Sequence, residues 1–130
     1  CAGATVMPGL VESHCHLTFP SALGHIDPSF NPPLDVSFPN NPIGRNARDL
    51  ELFVRLFGYP PAEALRAATQ YGGQVMDLPV GLLTPGYLAD VLVVRGEPAE
   101  DVSVLQDTEN LLAIMQNGAF WKLADQLTAA

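Results

Sequence analysis

Positive charge is the first thing this sequence lacks. Its 130 residues carry 6 Lys+Arg against 14 Asp+Glu, a formal net charge of −8, and Lys122 is the sole lysine. Contact with nucleic acid needs a basic patch to neutralise phosphates, and six cations scattered singly from Arg45 to Lys122 do not make one. Cysteine is scarce too. Cys1 opens the chain and Cys15 sits between two histidines, so the pair does not read as a disulfide framework, and a reduced, cytoplasmic setting is expected. No apolar run approaches the roughly 18 residues that a membrane span needs. The first ten residues lack a positive flank and hold Gly3, Pro8 and Gly9, which excludes a signal-peptide pattern there. Length sets a further limit, because a (β/α)8 barrel takes roughly 200 residues or more.

What is present is apolar: 48% of residues are hydrophobic and 15% charged, enough for one domain's core and too little charge for a disordered acidic tail. Residues 4–17, ATVMPGLVESHCHL, read as two short extended pieces separated by a turn at Pro8 and Gly9. From 18 to 45 the character changes. Six of the 12 prolines fall there, with Asn31, Asn40 and Asn41, and proline lacks the N–H that helices and central strands require. This stretch is expected to be a long irregular connection, which in a small domain points to function, a linker or lost sequence.

Helix signals begin at Asn46, a residue suited to an N-cap, with Asp49 behind it and Ala47, Leu50, Phe53, Val54 and Phe57 in one apolar stripe ending at Gly58. A second helix is expected from Pro60-Pro61, with Ala62, Leu65, Ala68 and Thr69 inward, until Gly72-Gly73; a short turn over QVMDL follows. The remainder reads as β-structure. Tyr87 to Val94 is apolar and β-branched, and its run of Val91, Leu92, Val93 and Val94 suits a strand covered on both faces. LLAIMQ and AFWKL flank Asn117-Gly118, the strongest short-range hairpin signal, since a type I′ turn needs positive φ at both central residues. The division of the chain is therefore 1–17, an outer strand plus a strand carrying the histidines; 18–45, the Pro-rich connection; 46–80, helical; 81–125, strands and hairpin; and 126–130, a tail.

The sharpest chemical feature is His14-Cys15-His16. At a strand end residues i and i+2 point to the same face, so two imidazoles can converge on one metal ion, and neutral imidazole suits zinc. Two ordinary polar histidines at a strand end are the plain alternative. Cys15 should face the other way, as a small buried apolar residue. His25, in the Pro-rich stretch, reads as a solvated loop histidine.

The string VMPGLVESHCHL resembles the opening motif of the amidohydrolase superfamily, in which a Pro-Gly turn, a first barrel strand, a polar or acidic residue and His-x-His come in that order. AEALRAATQYGGQVM, GLLTPGYLADVLVVRGEP and LLAIMQNGAFWK are similar in order and spacing to that family's last barrel helix and small β-sandwich. DVSFPNNPIGRNARD resembles the stretch that joins the eighth strand to its helix in a peptidase-like and imidazolonepropionase-like branch. The resemblance implies an α+β partial amidohydrolase: a first-strand segment with the histidine pair, two C-terminal barrel helices and a small β-sandwich or hairpin unit, too short for a complete barrel.

By function it implies a metal-dependent hydrolase of an amide or cyclic amide C–N bond, in which a divalent ion, zinc foremost, activates water. His14 and His16 carry over as metal ligands. Asp35 carries over as the carboxylate that moves the proton, if DVSFPNNPIGRNARD corresponds to the end of the eighth strand. Alternatively the stretch before it is the loop after the first strand, and Asp35 is a loop acid. Lys122 matches no lysine of the family's pattern, and the family's ligands from the middle strands have no counterpart, because 28 residues separate Leu17 from Asn46. Two ligands are fewer than the three of a catalytic zinc, so the chain alone should be a poor catalyst.

Two functions follow as expectations. One is hydrolysis of a small amide or peptide-like substrate. The other is a non-catalytic oligomeric or structural metal-binding module, in which two chains bring His14 and His16 around one ion across a two-fold interface. Apolar stripes left uncovered favour a homo-oligomer, or docking on missing sequence.

Overall fold

The computed structural model describes residues 3–11 and 46–128. Four strands, β1 (Ala4–Pro8), β2 (Val91–Arg95), β3 (Leu111–Gln116) and β4 (Ala119–Leu123), form one sheet in the order β1-β2-β3-β4, with every pair antiparallel. Helix α1 (Ala47–Phe57) and a helical run from Pro61 to Met76 lie between β1 and β2 in the chain, and α4 (Asp125–Thr128) follows β4. Helices with an antiparallel sheet make the fold α+β. Among the described residues there is one sheet and no second layer of strands, so the sandwich expected from the sequence is represented by a single sheet.

The core lies on one face of that sheet. Met7 of β1 and Val94 of β2 meet Leu50 of α1 and Val102 and Leu105 of a 3-10 turn (Val102–Gln106), with Ala47, Val54, Leu65, Ala68 and Leu92 packed around them. Removal of apolar surface from water supplies roughly 1.5–3 kcal/mol per large aliphatic side chain, and Val94 is fully buried. A hydrogen bond from Gln106 Nε2 to Glu51 Oε2, 2.8 Å, ties the turn to α1.

Helix α1 follows its apolar spacing at Ala47, Leu50 and Val54, but Phe57, expected inward, is exposed, and Leu52 is buried off the stripe. Gly58 ends the helix as expected of a left-handed cap, with φ of 69° and its N–H donating to the Phe53 carbonyl. Asn46 does not cap through its side chain; its backbone is helical and its carbonyl accepts from Asp49 N at 2.9 Å.

The second helix departs from expectation at its far end. Gly72-Gly73 does not stop it. α2 (Pro61–Arg66) passes into a π-helical segment (Ala67–Tyr71) and on into α3 (Gly72–Met76), which ends at Asp77 in the left-handed conformation. Pro60 starts the run by accepting from Glu63 N and Ala64 N. Its inward face is Ala64, Leu65, Ala68 and Thr69 rather than Ala62, which is exposed. Buried Thr69 is satisfied by donating Oγ1 to the Leu65 carbonyl, 2.8 Å.

The first extended piece ends at the Pro-Gly pair as expected, with Pro8, the last residue of β1, paired with Val91; a strand's last residue tolerates the missing N–H. One β-strand expectation is corrected. β2 begins at Val91, not Tyr87, and only Val94 of its apolar run is buried. The other face carries the row Val6, Val93, Ala113 and Leu123, in register across all four strands, and Val6 is 54% exposed. The hairpin is as read: Asn117 and Gly118 both have positive φ, 47° and 79°, between the paired Gln116 and Ala119.

Candidate functional site

His14, His16 and Asp35 lie outside the described residues, as do Cys15 and His25. What the structure does place is the backbone that leads to the histidine pair. As the chain leaves β1, Gly9 N donates to the Asp90 carbonyl at 2.9 Å and Val11 N donates to the Ala68 carbonyl at 2.6 Å. The second of these bonds depends on the π-helical segment. There Gly72 N reaches back five residues to the Ala67 carbonyl, and widening by one residue lets the Ala68 carbonyl accept from another segment.

Gly72 lets the two backbones come this close. A Cβ at position 72 would stand 2.6 Å from the Val11 carbonyl oxygen and 3.1 Å from Val11 Cβ, so any side chain would push the segment off the helix. Gly73 plays the same part on its own side, facing the Val80 carbonyl. The segment 9–11 is thus held by main-chain bonds to Asp90, just before β2, and to the helical run, and Val11 lies three positions before His14.

Among the described residues no group of three or more His, Cys, Asp or Glu side chains is arranged to hold a metal ion. A recess beside α3 holds Gln70, Gln74, Asp77 and Tyr87, and another, beside the hairpin, holds Asp90, Asn117 and Trp121. Each contains one acid, so neither offers the paired carboxylates of acid–base catalysis. Lys122 donates Nζ to the Thr108 carbonyl at 2.6 Å, a structural tie from β4 to the loop before β3. The described donors therefore do not fit a divalent ion.

Sequence reasoning missed the close approach of Val11 to Ala68 and Gly72. The signal was the Gly72-Gly73 pair, read as a helix stop when adjacent glycines also mark close backbone approach.

The profile of the amidohydrolase family matches residues 44–120, which run from before α1 to the start of β4. This chain belongs to the amidohydrolase family. Ochratoxinase of Aspergillus niger is 33% identical over 85 residues, covering 62% of this chain and 18% of that protein. The crystal structure of A. niger ochratoxinase superposes with a TM-score of 0.59 at 29% identity, over 63% of this chain and 20% of that one. A Xaa-Pro dipeptidase with bound methionine in its active site gives a TM-score of 0.53 at 30% identity, over 61% and 19%. A putative prolidase from Bifidobacterium longum gives 0.53 at 33%, over 60% and 19%. The chain thus spans about a fifth of the length of the relatives it matches. The family match begins after His14, His16 and Asp35, so those three stand on the motif resemblance alone.

Proposed function

We propose that this chain is part of a metal-dependent hydrolase that cleaves an amide or cyclic amide C–N bond. The observation that carries this reading is the family match over residues 44–120, together with relatives named ochratoxinase and Xaa-Pro dipeptidase. In it His14 and His16 are ligands to a divalent ion, zinc by the preference of paired imidazoles. Such an ion, held by His14 and His16, would supply a water of lowered pKa and polarise the carbonyl. Asp35 accepts the proton from the attacking water and returns it to the leaving nitrogen. Val11, Ala68 and Gly72 orient the segment that carries the histidines. The substrate is a small amide or peptide-like molecule, the further ligands come from sequence outside this chain, and the setting is cytoplasmic.

A second reading, a non-catalytic oligomeric or structural metal-binding module, is favoured by one observation. The row Val6, Val93, Ala113 and Leu123 is apolar throughout, and on it Val6 and Leu123 are 54% and 39% exposed. Apolar surface of this kind favours association.

Metal content of the purified chain and of a His14→Ala, His16→Ala variant, followed by hydrolysis of N-acyl amino acids and Xaa-Pro dipeptides with and without chelator, separates the two. Metal in the parent that is lost from the variant supports the ligand assignment; no metal in the parent sinks the metal-binding module. Chelator-sensitive turnover by this chain refutes the second.

A further inference from the structure

The hairpin turn between β3 and β4 is an Asn-Gly dipeptide exposed to water, and nothing crowds Gly118, where an added Cβ would meet no atom within 4 Å. Asn-Gly is also the dipeptide in which the backbone nitrogen most easily reaches the side-chain amide, because glycine brings no side chain into the way. Two hydrogen bonds from a distant segment hold this turn. Asn117 N donates to Asp90 Oδ1 at 2.7 Å, and Gly118 N donates to the Ala89 carbonyl at 3.0 Å.

We propose that Asn117 is a deamidation site that the Ala89–Asp90 segment holds unreactive. Reaction needs Gly118 N to lose its proton and attack Asn117 Cγ. A bond forms between Gly118 N and Cγ, the Cγ–Nδ2 bond breaks, and ammonia leaves with the proton lost from Gly118, giving a five-membered imide. Water then opens either imide carbonyl to an aspartyl or isoaspartyl residue at position 117. In the folded turn that nitrogen's proton is engaged by the Ala89 carbonyl. Asn117 is also held in the left-handed region, with φ of 47°, as the turn requires. Turning Gly118 N toward Cγ breaks its bond to Ala89, and the bond from Asn117 N to Asp90 holds the turn against the segment that carries that carbonyl. The product would place a second carboxylate beside Asp90 and weaken the same latch.

The test incubates the full chain in warm neutral buffer, native and in urea, and follows conversion at position 117 by peptide mass spectrometry with isoaspartyl detection. The native chain should convert at least about tenfold more slowly than the unfolded one, the equivalent of about 1.4 kcal/mol. Asp90→Ala should lose most of that protection with the far-UV spectrum unchanged, and Asp90→Asn, which keeps an acceptor oxygen, should retain it. Equal rates in the native and unfolded chains overturn the proposal, as does a folded Asp90→Ala that converts as slowly as the parent. If Asp90→Ala does not fold, Asp90→Asn decides: the parent's slow rate supports the latch, and the unfolded chain's rate refutes it.

Discussion

Replacing Gly72 with alanine tests how the chain is held on its way to the histidine pair, because two effects of opposite sign meet there. Gly72 is helical, with φ of −57° and ψ of −46°. On propensity alone, Gly72→Ala should therefore stabilise by about 1 kcal/mol. Against that, the new Cβ would sit 2.6 Å from the Val11 carbonyl oxygen, against an ordinary contact of roughly 3.4 Å or more, so Val11 must move by most of an ångström. Overpacking of this kind costs about 1–3 kcal/mol, and the 2.6 Å bond from Val11 N to the Ala68 carbonyl, worth about 0.5–1.5 kcal/mol, is strained or lost with it. The net effect is destabilisation by about 2 kcal/mol. Urea titration followed by far-UV circular dichroism reads it as a lowered midpoint at unchanged slope. Hydrogen exchange at Val11 N should accelerate in parallel. Gln74→Ala, an exposed site on the same helical run, is the control and should move the midpoint little. A Gly72→Ala chain as stable as the parent or more so would refute the close approach of Val11 to the helix.

Val94→Ala removes two methyl groups from a fully buried site and should cost about 2 kcal/mol in the same titration. Leu50→Ala, in the core cluster on α1, should cost about 2–5 kcal/mol, and a loss below 1 kcal/mol would mean that α1 does not pack on the sheet as described. The carboxylate of Asp101 accepts from Ser103, whose side chain and backbone N–H hold its pKa below the ordinary aspartate value. Because the folded value is the lower one, its contribution is complete above about pH 3.9 and is lost as pH falls through the folded value. Asp101→Asn should flatten that part of the stability profile, and an unchanged acid slope would contradict it. His14→Ala with His16→Ala should abolish bound metal in elemental analysis while leaving the midpoint of the sheet's unfolding unchanged.

Local features were legible where the chemistry is local. Gly58 ends α1 because only a left-handed residue closes a helix that way, and Asn117-Gly118 makes the hairpin because both positions need positive φ. Pro60-Pro61 opened the second helix for a similar reason. Errors came where the deciding neighbour was far along the chain. Phe57 continued the apolar stripe of α1 by spacing, yet the helix reaches its partner turn only through its earlier residues. Of the candidate site, the residue types were legible and their environment was not, because His14, His16 and Asp35 stand outside the described residues.

By itself, the sequence determined the hairpin and the starting points of both helices, since each depends on dihedral preferences or side-chain period within a few residues; the family and the α+β class came from the resemblance of its motifs. Only the tertiary structure decided what Gly72-Gly73 and Asp90 do. Gly72 faces the Val11 backbone, and Asp90 receives a hydrogen bond from a residue 27 positions away. A glycine read locally is a helix breaker, and read against a packed neighbour it is the space that neighbour occupies. Which meaning holds depends on what the rest of the chain brings beside it.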